Sequence, residues 1–262
     1  MSKPVAVITG ASRGIGKQLA VDFAGAGYDV VCLARSSQDA PSKLPGTIEE
    51  TAELVRAAGG TALALPLNVQ NEEEVRDVAD RVYAELGRCD VLINNAAVAV
   101  PGRTLDQPTK RWRLAVDVNV NGPLYMMYYF CPRMREAGGG RVINISSGAS
   151  DAPEFGRVSY TVTKRALEAL TEAMAFELAD GNVAVNCIKL ELAVWSEGFA
   201  YTLGDVDTSG FEDPIIMSDA ALWFAQQPFD YTGKVLTIAQ LREMKVVRPV
   251  TKVGQVHSGA TG

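Results

Sequence analysis

Histidine is almost missing from this sequence. The 262 residues include one histidine, His257, which lies in a polar segment near the C-terminus. Histidine is the commonest metal ligand and the usual base of hydrolytic triads. We therefore expect no metal site and no serine-histidine hydrolase chemistry.

Cysteine is also scarce, and its spacing excludes two common uses. The four cysteines lie on or beside apolar runs with no Cys-x-x-Cys pair, at Cys32, Cys89, Cys131 and Cys187. This pattern predicts buried thiols in a reducing compartment rather than a disulfide framework or a zinc site. No apolar run is long enough to span a bilayer, and no signal-like segment precedes the first predicted strand. We therefore expect a cytoplasmic protein.

Positive charge is not in excess. Lys and Arg number 25 against 31 Asp and Glu, which gives a net charge of −6. An acidic balance disfavours general nucleic-acid binding, so we expect no nucleic-acid partner. The length and a hydrophobic content of 47% suit one domain with a full core.

The most informative stretch is Thr-Gly-Ala-Ser-Arg-Gly-Ile-Gly at residues 9–16. It follows an apolar run at 5–8, typical of a buried strand, and precedes helical spacing at 15–25. Between a strand and a helix, such glycines predict a site where backbone N–H groups approach a diphosphate. A plain strand-to-helix connection remains the alternative for this stretch taken alone. Residues expected to touch the dinucleotide here are Gly10, Ser12, Arg13, Gly14, Ile15 and Gly16.

Strands and helices alternate along the rest of the chain. Strands are predicted at 29–34, 62–67, 91–93, 142–145, 183–188 and 235–238, and helices include 109–137, 158–179 and 219–226. This order predicts one doubly wound, Rossmann-type α/β domain, a parallel sheet of about seven strands with helices on both faces. We assign residues 1–240 to this domain, with a substrate lid within 189–218, and 241–262 to a weakly structured tail. Ligands bind at the carboxyl ends of such strands, where Thr9, Arg35, Asn68, Asn94, Ser147 and Lys189 should converge.

Tyr160 and Lys164 lie four residues apart near a predicted helix start, hence on one face. A free phenol, with a pKa of about 10, is a poor acid-base group at neutral pH, and a nearby ammonium stabilises its phenolate form. Ser147, at the end of the fifth strand, can donate a hydrogen bond to a substrate oxygen, with Ser146 as its competitor. Taken alone, a Tyr-x-x-x-Lys pair is more often a surface feature, and the upstream glycine turn reverses those odds.

Together these motifs resemble the short-chain dehydrogenase/reductase family to about residue 240. The match runs in order through residues 9–16, 94–96, Asn119, Ser147 and Tyr160-x-x-x-Lys164. Within the family, residues 43–48, 105–111 and 231–234 are most similar to the hydroxysteroid-dehydrogenase-like branch. The resemblance implies hydride transfer between a nicotinamide and a ketone or secondary alcohol as the small-molecule substrate.

The same resemblance implies residue roles. Tyr160 is the general acid for reduction, Lys164 stabilises its phenolate and holds the nicotinamide ribose, and Ser147 orients the carbonyl. Asn119 anchors a water in the proton relay. Further cofactor contacts are expected from Ala34, Arg35, Asn68, Val69, Asn95 and Ala96, together with Tyr160 and Lys164.

Pro123 adds an observation of its own. It follows Asn119 by four residues, and a proline has no N–H to bond the Asn119 carbonyl. We hypothesise that this freed carbonyl holds the relay water. The alternative is that Gly122-Pro123 merely kinks or ends a helix.

The residues after the second strand predict NADP(H) rather than NAD(H). An acid usually stands there in NAD enzymes of this fold, whereas this chain has Ala34 and Arg35. With Arg13 in the glycine turn, two guanidiniums and no carboxylate suit a 2′-phosphate. The alternative is that Arg35 is a solvated loop charge, and Lys43 is a further candidate cation.

Three departures from the family pattern stand out. Asn68 replaces an aspartate that contacts adenine, and Ala97 replaces a glycine beside the cofactor. Lys189-Leu190-Glu191 replaces a Pro-Gly turn that normally lies against the nicotinamide. We interpret the two charges as an outward ion pair, with substrate contacts as the alternative. A nucleotide-binding sensor that keeps the fold but does little chemistry is therefore a competing interpretation.

Aromatic and apolar residues outside the motifs suggest a lid and a subunit interface. Trp195, Phe199 and Tyr201 are candidates for a lid, with core packing equally open, and Glu154 and Phe155 are candidate pocket walls. The helices carrying Asn119 and Tyr160 are apolar over much of their surface, at Leu124, Met127, Phe130, Leu167, Leu170, Met174 and Phe176. Such helices favour a homodimer or homotetramer.

Overall fold

The computed structural model describes residues 2–152, 154–198, 207, 209–249 and 252. Within these residues the strands are β1 (Val5–Thr9), β2 (Asp29–Ala34), β3 (Ala62–Pro66), β4 (Val91–Asn94), β5 (Gly140–Ser147), β6 (Val183–Leu190) and β7 (Val235–Thr237). They form one seven-stranded sheet in the order β3-β2-β1-β4-β5-β6-β7. Every pairing is parallel, as the alternation of strands and helices predicted.

Helices cover both faces of the sheet. They are α1 (Gly14–Gly25), α2 (Ile48–Ala57), α3 (Glu72–Leu86), α4 (Thr109–Val116), α5 (Gly122–Glu136), α6 (Val158–Leu178), α7 (Ile215–Gln226) and α8 (Ile238–Glu243). Successive residues of a strand face opposite sides, so Ala6 and Ile8 pack with α1, α2, α7 and α8, whereas Val5 and Val7 pack with α3, α5 and α6. The doubly wound fold class is confirmed.

Helix starts follow the local sequence signals. Thr47 and Glu50 form a capping box at the start of α2, because each side chain bonds the other residue's backbone N–H. The Asn71 side chain accepts the N–H groups of Glu73 and Glu74 at the start of α3. These caps satisfy N–H groups that would otherwise have no partner in the first turn.

The helix predicted over residues 109–137 is interrupted. Between α4 and α5 the chain passes through a π-helical turn, Asp117–Asn121, in which the Gly122 N–H bonds the Asp117 carbonyl. Pro123 cannot donate the regular bond to the Asn119 carbonyl, so a wider turn forms there. The helix then continues as α5, and Gly122-Pro123 does not end it.

The expectation of a weakly structured tail from residue 241 is wrong for the first residues of that segment. Helix α8 crosses the boundary that we set at 240, and a second capping box, between Thr237 and Gln240, starts it. Leu241 is fully buried, and Arg242 donates to both carboxylate oxygens of Glu212. Residues 253–262, with His257, lie outside the described residues.

Two element boundaries also differ from the prediction. Strand β6 continues to Leu190, because Lys189 and Leu190 pair with Ser146 and Ser147 of β5. Helix α7 begins at Ile215, four residues before the predicted start. Across the described part of the chain, no helix has both the length and the apolar character needed to cross a bilayer.

Candidate functional site

The glycine-rich turn joins β1 to α1 with little free space. Gly10 and Gly14 have φ values of +71° and +53°, in the left-handed region that favours glycine. A Cβ on Gly16 would lie 2.2 Å from the Gly10 carbonyl oxygen. The turn therefore brings the N-terminus of α1 directly against the end of β1, as the motif predicted.

Hydrogen bonds join this turn to the end of β4. The Thr9 hydroxyl oxygen accepts the N–H groups of Asn95 and Ala96, each at 3.0 Å. The Asn95 side-chain amide donates to the Thr9 carbonyl at 2.9 Å. The ends of β1 and β4 thus form one rigid floor.

A cavity of about 430 Å³ lies beyond this floor, at the carboxyl ends of the neighbouring strands. Its lining contains every residue that the sequence assigned to the cofactor, apart from Tyr160 and Lys164: Gly10, Ser12, Arg13, Gly14, Ile15, Gly16, Ala34, Arg35, Asn68, Val69, Asn95 and Ala96. The lining also includes Leu114 and Val118, which the sequence did not indicate. They come from the irregular helix around the π turn, which no local pattern places here.

A carboxylate of the chain itself marks an anion site at the start of α1. The Gly14 N–H donates to Glu197 Oε2 at 2.8 Å, and Lys17 Nζ lies 2.6 Å from Glu197 Oε1. Burial acts to raise the pKa of the Glu197 carboxyl, but Lys17 and the backbone N–H groups outweigh it and hold that pKa below its usual value. Because a helix N-terminus attracts negative charge, this carboxylate stands in for the phosphate oxygens that such a cradle fits.

Two guanidiniums flank the other end of the cavity. Arg13 donates to the hydroxyls of Ser36 and Ser42, both at 2.8 Å, and to the Gly46 carbonyl at 3.1 Å. Burial lowers the pKa of Arg13, Glu197 opposes this, and the nearby Arg35 lowers the pKa further. Among the described residues, Arg13 Nε is buried without a hydrogen-bond partner. Arg13 and Arg35 therefore place two positive charges in the cavity lining beside β2.

Three other residues singled out in this part of the sequence have different surroundings. Lys43 is exposed and lies outside the lining, which its neighbour Leu44 joins. The Asn68 side-chain oxygen accepts two N–H groups of Gln70, so it is already engaged within its own loop. Ala97 lies in the cavity wall.

Three of the predicted catalytic residues, Ser147, Tyr160 and Lys164, lie one strand further along the same edge, on β5 and α6, outside the lining of this cavity. Lys164 is buried, and its Nζ donates to the Ile145 carbonyl at 2.7 Å. That Nζ lies 5.5 Å from the centroid of the Tyr160 ring, and the Arg157 guanidinium lies 5.2 Å from it. Tyr160 is thus flanked by two cations at the start of α6.

Ser146 and Ser147 have different surroundings. Ser147 caps a short 3₁₀ turn, and its hydroxyl oxygen accepts the Ala149 N–H at 3.3 Å. Ser146 is buried, and its hydroxyl donates to Glu168 at 2.6 Å. This geometry leaves the Ser147 O–H as the donor at the end of β5.

Asn119 connects three parts of the site. Its side-chain oxygen accepts the Val98 N–H at 2.8 Å, and its amide donates to the Val98 carbonyl at 2.9 Å and to Thr163 Oγ1 at 3.0 Å. Asn119 is 1% exposed. It therefore connects the loop after β4 to α6 at Thr163, less than one helical turn after Tyr160.

The interpretation of Lys189 and Glu191 as an outward ion pair is wrong. Lys189 is buried and pairs with Asp151 at 2.7 Å and with Glu168 at 3.1 Å. The Glu191 carboxylate accepts the N–H groups of Ile238 and Ala239 at the start of α8. Glu191 lies one residue beyond the end of β6, and the two charges have separate partners on different elements.

The described residues include some of the lid and wall candidates and not others. The backbone N–H of Trp195 donates to the Glu212 carbonyl at 2.9 Å, whereas Phe199 and Tyr201 lie outside the described residues. Phe155 is 83% exposed and stacks under Arg103. Glu154 pairs with Arg157 at 2.7 Å. Neither Glu154 nor Phe155 lines the cavity described above.

Sequence comparisons show that this chain is similar to known dehydrogenases. Hydroxysteroid dehydrogenase-like protein 2 of Bos taurus is 32% identical over 231 residues, which cover 87% of this chain and 55% of the relative. The 7alpha-hydroxysteroid dehydrogenase of Escherichia coli strain K12 is 34% identical over 183 residues, 70% of this chain and 68% of that enzyme. The chain spans about half the length of the first of these relatives.

A solved structure and a family model extend the likeness. The crystal structure of a metagenomic short-chain oxidoreductase in complex with NADP superposes with a TM-score of 0.77 at 29% identity, over 95% of this chain and 98% of that one. Residues 4–193 match the family model described as short chain dehydrogenase. The resemblance inferred from the motifs is confirmed, and the chain belongs to the short-chain dehydrogenase family.

Proposed function

We propose that this chain is an NADP(H)-dependent oxidoreductase that transfers a hydride between the nicotinamide and a ketone or secondary alcohol. One observation carries the proposal. Lys164 Nζ lies 5.5 Å from the Tyr160 ring centroid and donates to Ile145 of β5, the strand that ends at Ser147, one strand beyond the cavity lined by the glycine turn. Family membership supports the same reaction class.

Each polar group has a role in that reaction. The Tyr160 hydroxyl gives its proton to the substrate oxygen in reduction and takes it back in oxidation. The Lys164 ammonium stabilises the phenolate that remains. The Ser147 hydroxyl donates a hydrogen bond to the same substrate oxygen. The Asn119 amide holds the start of α6 in place through its hydrogen bond to Thr163. A bound NADPH would supply the hydride.

The preference for NADP(H) rests on charge beside β2. Arg13 and Arg35 line the cavity together with the Ser36 hydroxyl, and guanidiniums pair strongly with phosphate oxygens. The NADP complex of the metagenomic relative supports the same cofactor class. The substrate is a small molecule, and the name of the bacterial relative, a hydroxysteroid dehydrogenase, supports an apolar alcohol.

The relay water at the Asn119 carbonyl remains part of the proposal. The π turn and Pro123 make the helix irregular at that carbonyl, as the hypothesis requires. A crystal structure with ordered solvent tests this hypothesis, because the relay requires a water within hydrogen-bond distance of the Asn119 backbone carbonyl oxygen.

A second candidate, a nucleotide-binding sensor with little catalysis, is favoured by one observation. The family's Pro-Gly turn is replaced by a continued strand with Lys189 buried and Glu191 capping α8. The backbone that would face the nicotinamide therefore follows another path. The intact catalytic set opposes this candidate.

Turnover and binding measured together separate the two candidates. We expect oxidation of NADPH with members of a panel of ketones and quinones, and a fall of about 10²–10⁴-fold in kcat for Tyr160→Phe. NADPH affinity should be unchanged, and Tyr28→Phe, at the amino end of β2 and so at the opposite edge of the sheet, serves as the matched control. Tight NADPH binding with no turnover of any carbonyl would instead support the sensor.

Cofactor choice is tested by dissociation constants for NADPH and NADH. We expect NADPH to bind more tightly. We also expect Arg35→Ala to weaken NADPH binding about tenfold with little effect on NADH, because a charge-assisted pair is lost. Arg56→Ala on the exposed side of α2 is the control. Equal affinity for the two cofactors, or tighter NADH binding, rejects the preference.

Two further proposals concern the setting of the protein. We propose a homodimer or homotetramer, supported by exposed apolar side chains on α5 and α6, where Tyr128 is 66% and Phe176 is 90% exposed. We also propose a cytoplasmic location, supported by four free, buried thiols that suit a reducing compartment. Fractionation of the native host with an antibody tests the location.

A further inference from the structure

Helix α6 carries a third polar side chain on its active face. Glu168 follows Lys164 by four residues, as Lys164 follows Tyr160, so the three lie on one side of the helix. Glu168 is 4% exposed. A carboxylate is rarely buried this deeply unless it is paired and hydrogen-bonded.

The Glu168 carboxylate has a partner at each oxygen. The hydroxyls of Ser146 and Ser150 both donate to Oε1 at 2.6 Å. Lys189 Nζ lies 3.1 Å from Oε2, and the exposed Arg165 lies 3.2 Å from it. Hydrogen bonds to an ionised acceptor are about twice as strong as neutral ones, so both serines are held firmly.

These two serines bracket Ser147. Ser146 immediately precedes it, and Ser150 ends the 3₁₀ turn that the Ser147 side chain caps. Lys164 holds the residue before them through the Ile145 carbonyl. The chain from 145 to 150 is therefore attached to α6 on both sides of Ser147, by two side chains of the same helix face.

The positive charge of Lys189 explains how the Glu168 carboxylate can be buried here. Its side chain is 8% exposed and also pairs with Asp151 at 2.7 Å. Burial acts to lower the pKa of Lys189, but Asp151 and Glu168 outweigh it and raise that pKa. Lys189 stands where the family's Pro-Gly turn begins, so the departure from the family pattern and the buried acid belong to one cluster.

We propose that Glu168, paired with Lys189, is a positioning residue that fixes the Ser147 hydroxyl toward the substrate oxygen. The inference rests on the proposed function, in which Ser147 binds that oxygen. A purely stabilising role is the alternative, although buried ion pairs often add little net stability. The difference between the two is measurable, because displacing a catalytic group by 1 Å can cost about 10²-fold in rate.

The test compares two substitutions of Glu168. Glu168→Ala removes the acceptor for both serines, and we expect kcat to fall about 10- to 100-fold with NADPH affinity unchanged. Glu168→Gln keeps a side-chain oxygen in place, and kcat should remain within about threefold of wild type. Glu172→Ala, an exposed glutamate one turn further on α6, is the matched control. Unchanged kcat in folded Glu168→Ala overturns the proposal, as does an equal loss in Glu168→Gln.

A milder variant covers a failure of Glu168→Ala to fold. Ser150→Ala removes one of the two hydroxyls, and we expect kcat to fall several-fold while NADPH still binds as in wild type. Crystal structures of folded Glu168→Ala and of Ser150→Ala give a readout without turnover: we expect the Ser147 Oγ to be displaced by about 1 Å in the first and by less in the second. An unmoved 146–150 segment overturns the proposal. Absence of turnover in wild type defeats the proposed function instead, and the displacement of Ser147 still decides the positioning role.

Discussion

The carboxylate of Glu197 lies at the N-terminus of α1, where the diphosphate of the proposed cofactor would bind. It accepts the Gly14 N–H at the start of α1 and pairs with Lys17. A diphosphate and this carboxylate cannot share those donors, since like charges at one site repel. Binding of the cofactor therefore requires Glu197 to leave the N-terminus of α1.

This competition predicts that Glu197→Gln binds NADPH more tightly. A neutral amide competes less for the helix N-terminus, so the dissociation constant should fall about 3- to 10-fold, or about 0.7–1.4 kcal/mol. Titration calorimetry measures it, with Glu53→Gln on the exposed side of α2 as the control. Weaker binding in Glu197→Gln would mean that the carboxylate supports the bound cofactor, contrary to this account.

The glycine turn was predictable residue by residue, and Glu197 was not. Gly10, Gly14 and Gly16 carry their reason in local spacing between a strand and a helix. Glu197 reaches Gly14 from 183 positions along the chain, and no local pattern records such a contact. Lys189 and Glu168 are hidden for the same reason, because each has its partner on another element.

At the level of elements, side-chain caps start α2, α3 and α8, and the last of these was overlooked in the sequence. Thr237 and Gln240 form a capping box of the same kind as the one that Thr47 and Glu50 form before α2. The tail assigned to residues 241–262 begins inside this helix. Two buried side chains, Ile238 and Leu241, hold this brief helix against the core, and tertiary packing of this kind does not show in a short window.

The packing of α8 gives a stability prediction. Leu241 is fully buried and Met244, at the end of the same helix, is 46% exposed. Leu241→Ala should lower the free energy of unfolding by about 2–5 kcal/mol, because it leaves a cavity. Met244→Ala should change it by less than about 1 kcal/mol. Urea unfolding checks both, and equal effects would show that α8 is not part of the core.

The interrupted helix shows a partial success at the same scale. Pro123 indicated that the hydrogen-bond ladder fails at Asn119, and the π turn lies at that place. The sequence did not indicate that the widened turn would carry Val118 to the cavity wall. The direction of a side chain after such a turn depends on packing against neighbouring elements.

For the whole molecule, the order of strands and helices was enough to predict the fold. Parallel strands with right-handed crossovers leave few topologies open, and the observed sheet is the expected one. The carboxyl ends of its strands then bring distant residues to one edge, which is why twelve predicted cofactor residues share a cavity. The sequence did not predict how these residues are arranged relative to one another, which the structure gives.

The exposed face of α5 and α6 predicts association. We expect sedimentation equilibrium to give a dimer or tetramer mass, and Phe176→Arg to shift it toward the monomer, since a charge is costly in an apolar interface. Leu105→Arg is the control, because Leu105 is equally exposed but lies outside these helices. A monomeric wild-type protein at micromolar concentration would contradict the expectation.

The most direct test of the central claim follows a labelled hydride. The protein is incubated with NADPH carrying deuterium at both C4 positions of the nicotinamide and with a reactive ketone, and the alcohol is examined by mass spectrometry and NMR. We predict one deuterium at the carbinol carbon, and its loss in Tyr160→Phe although that variant still binds NADPH. Tight NADPH binding with no deuterium in any product, or transfer that persists unchanged in Tyr160→Phe, would contradict the account.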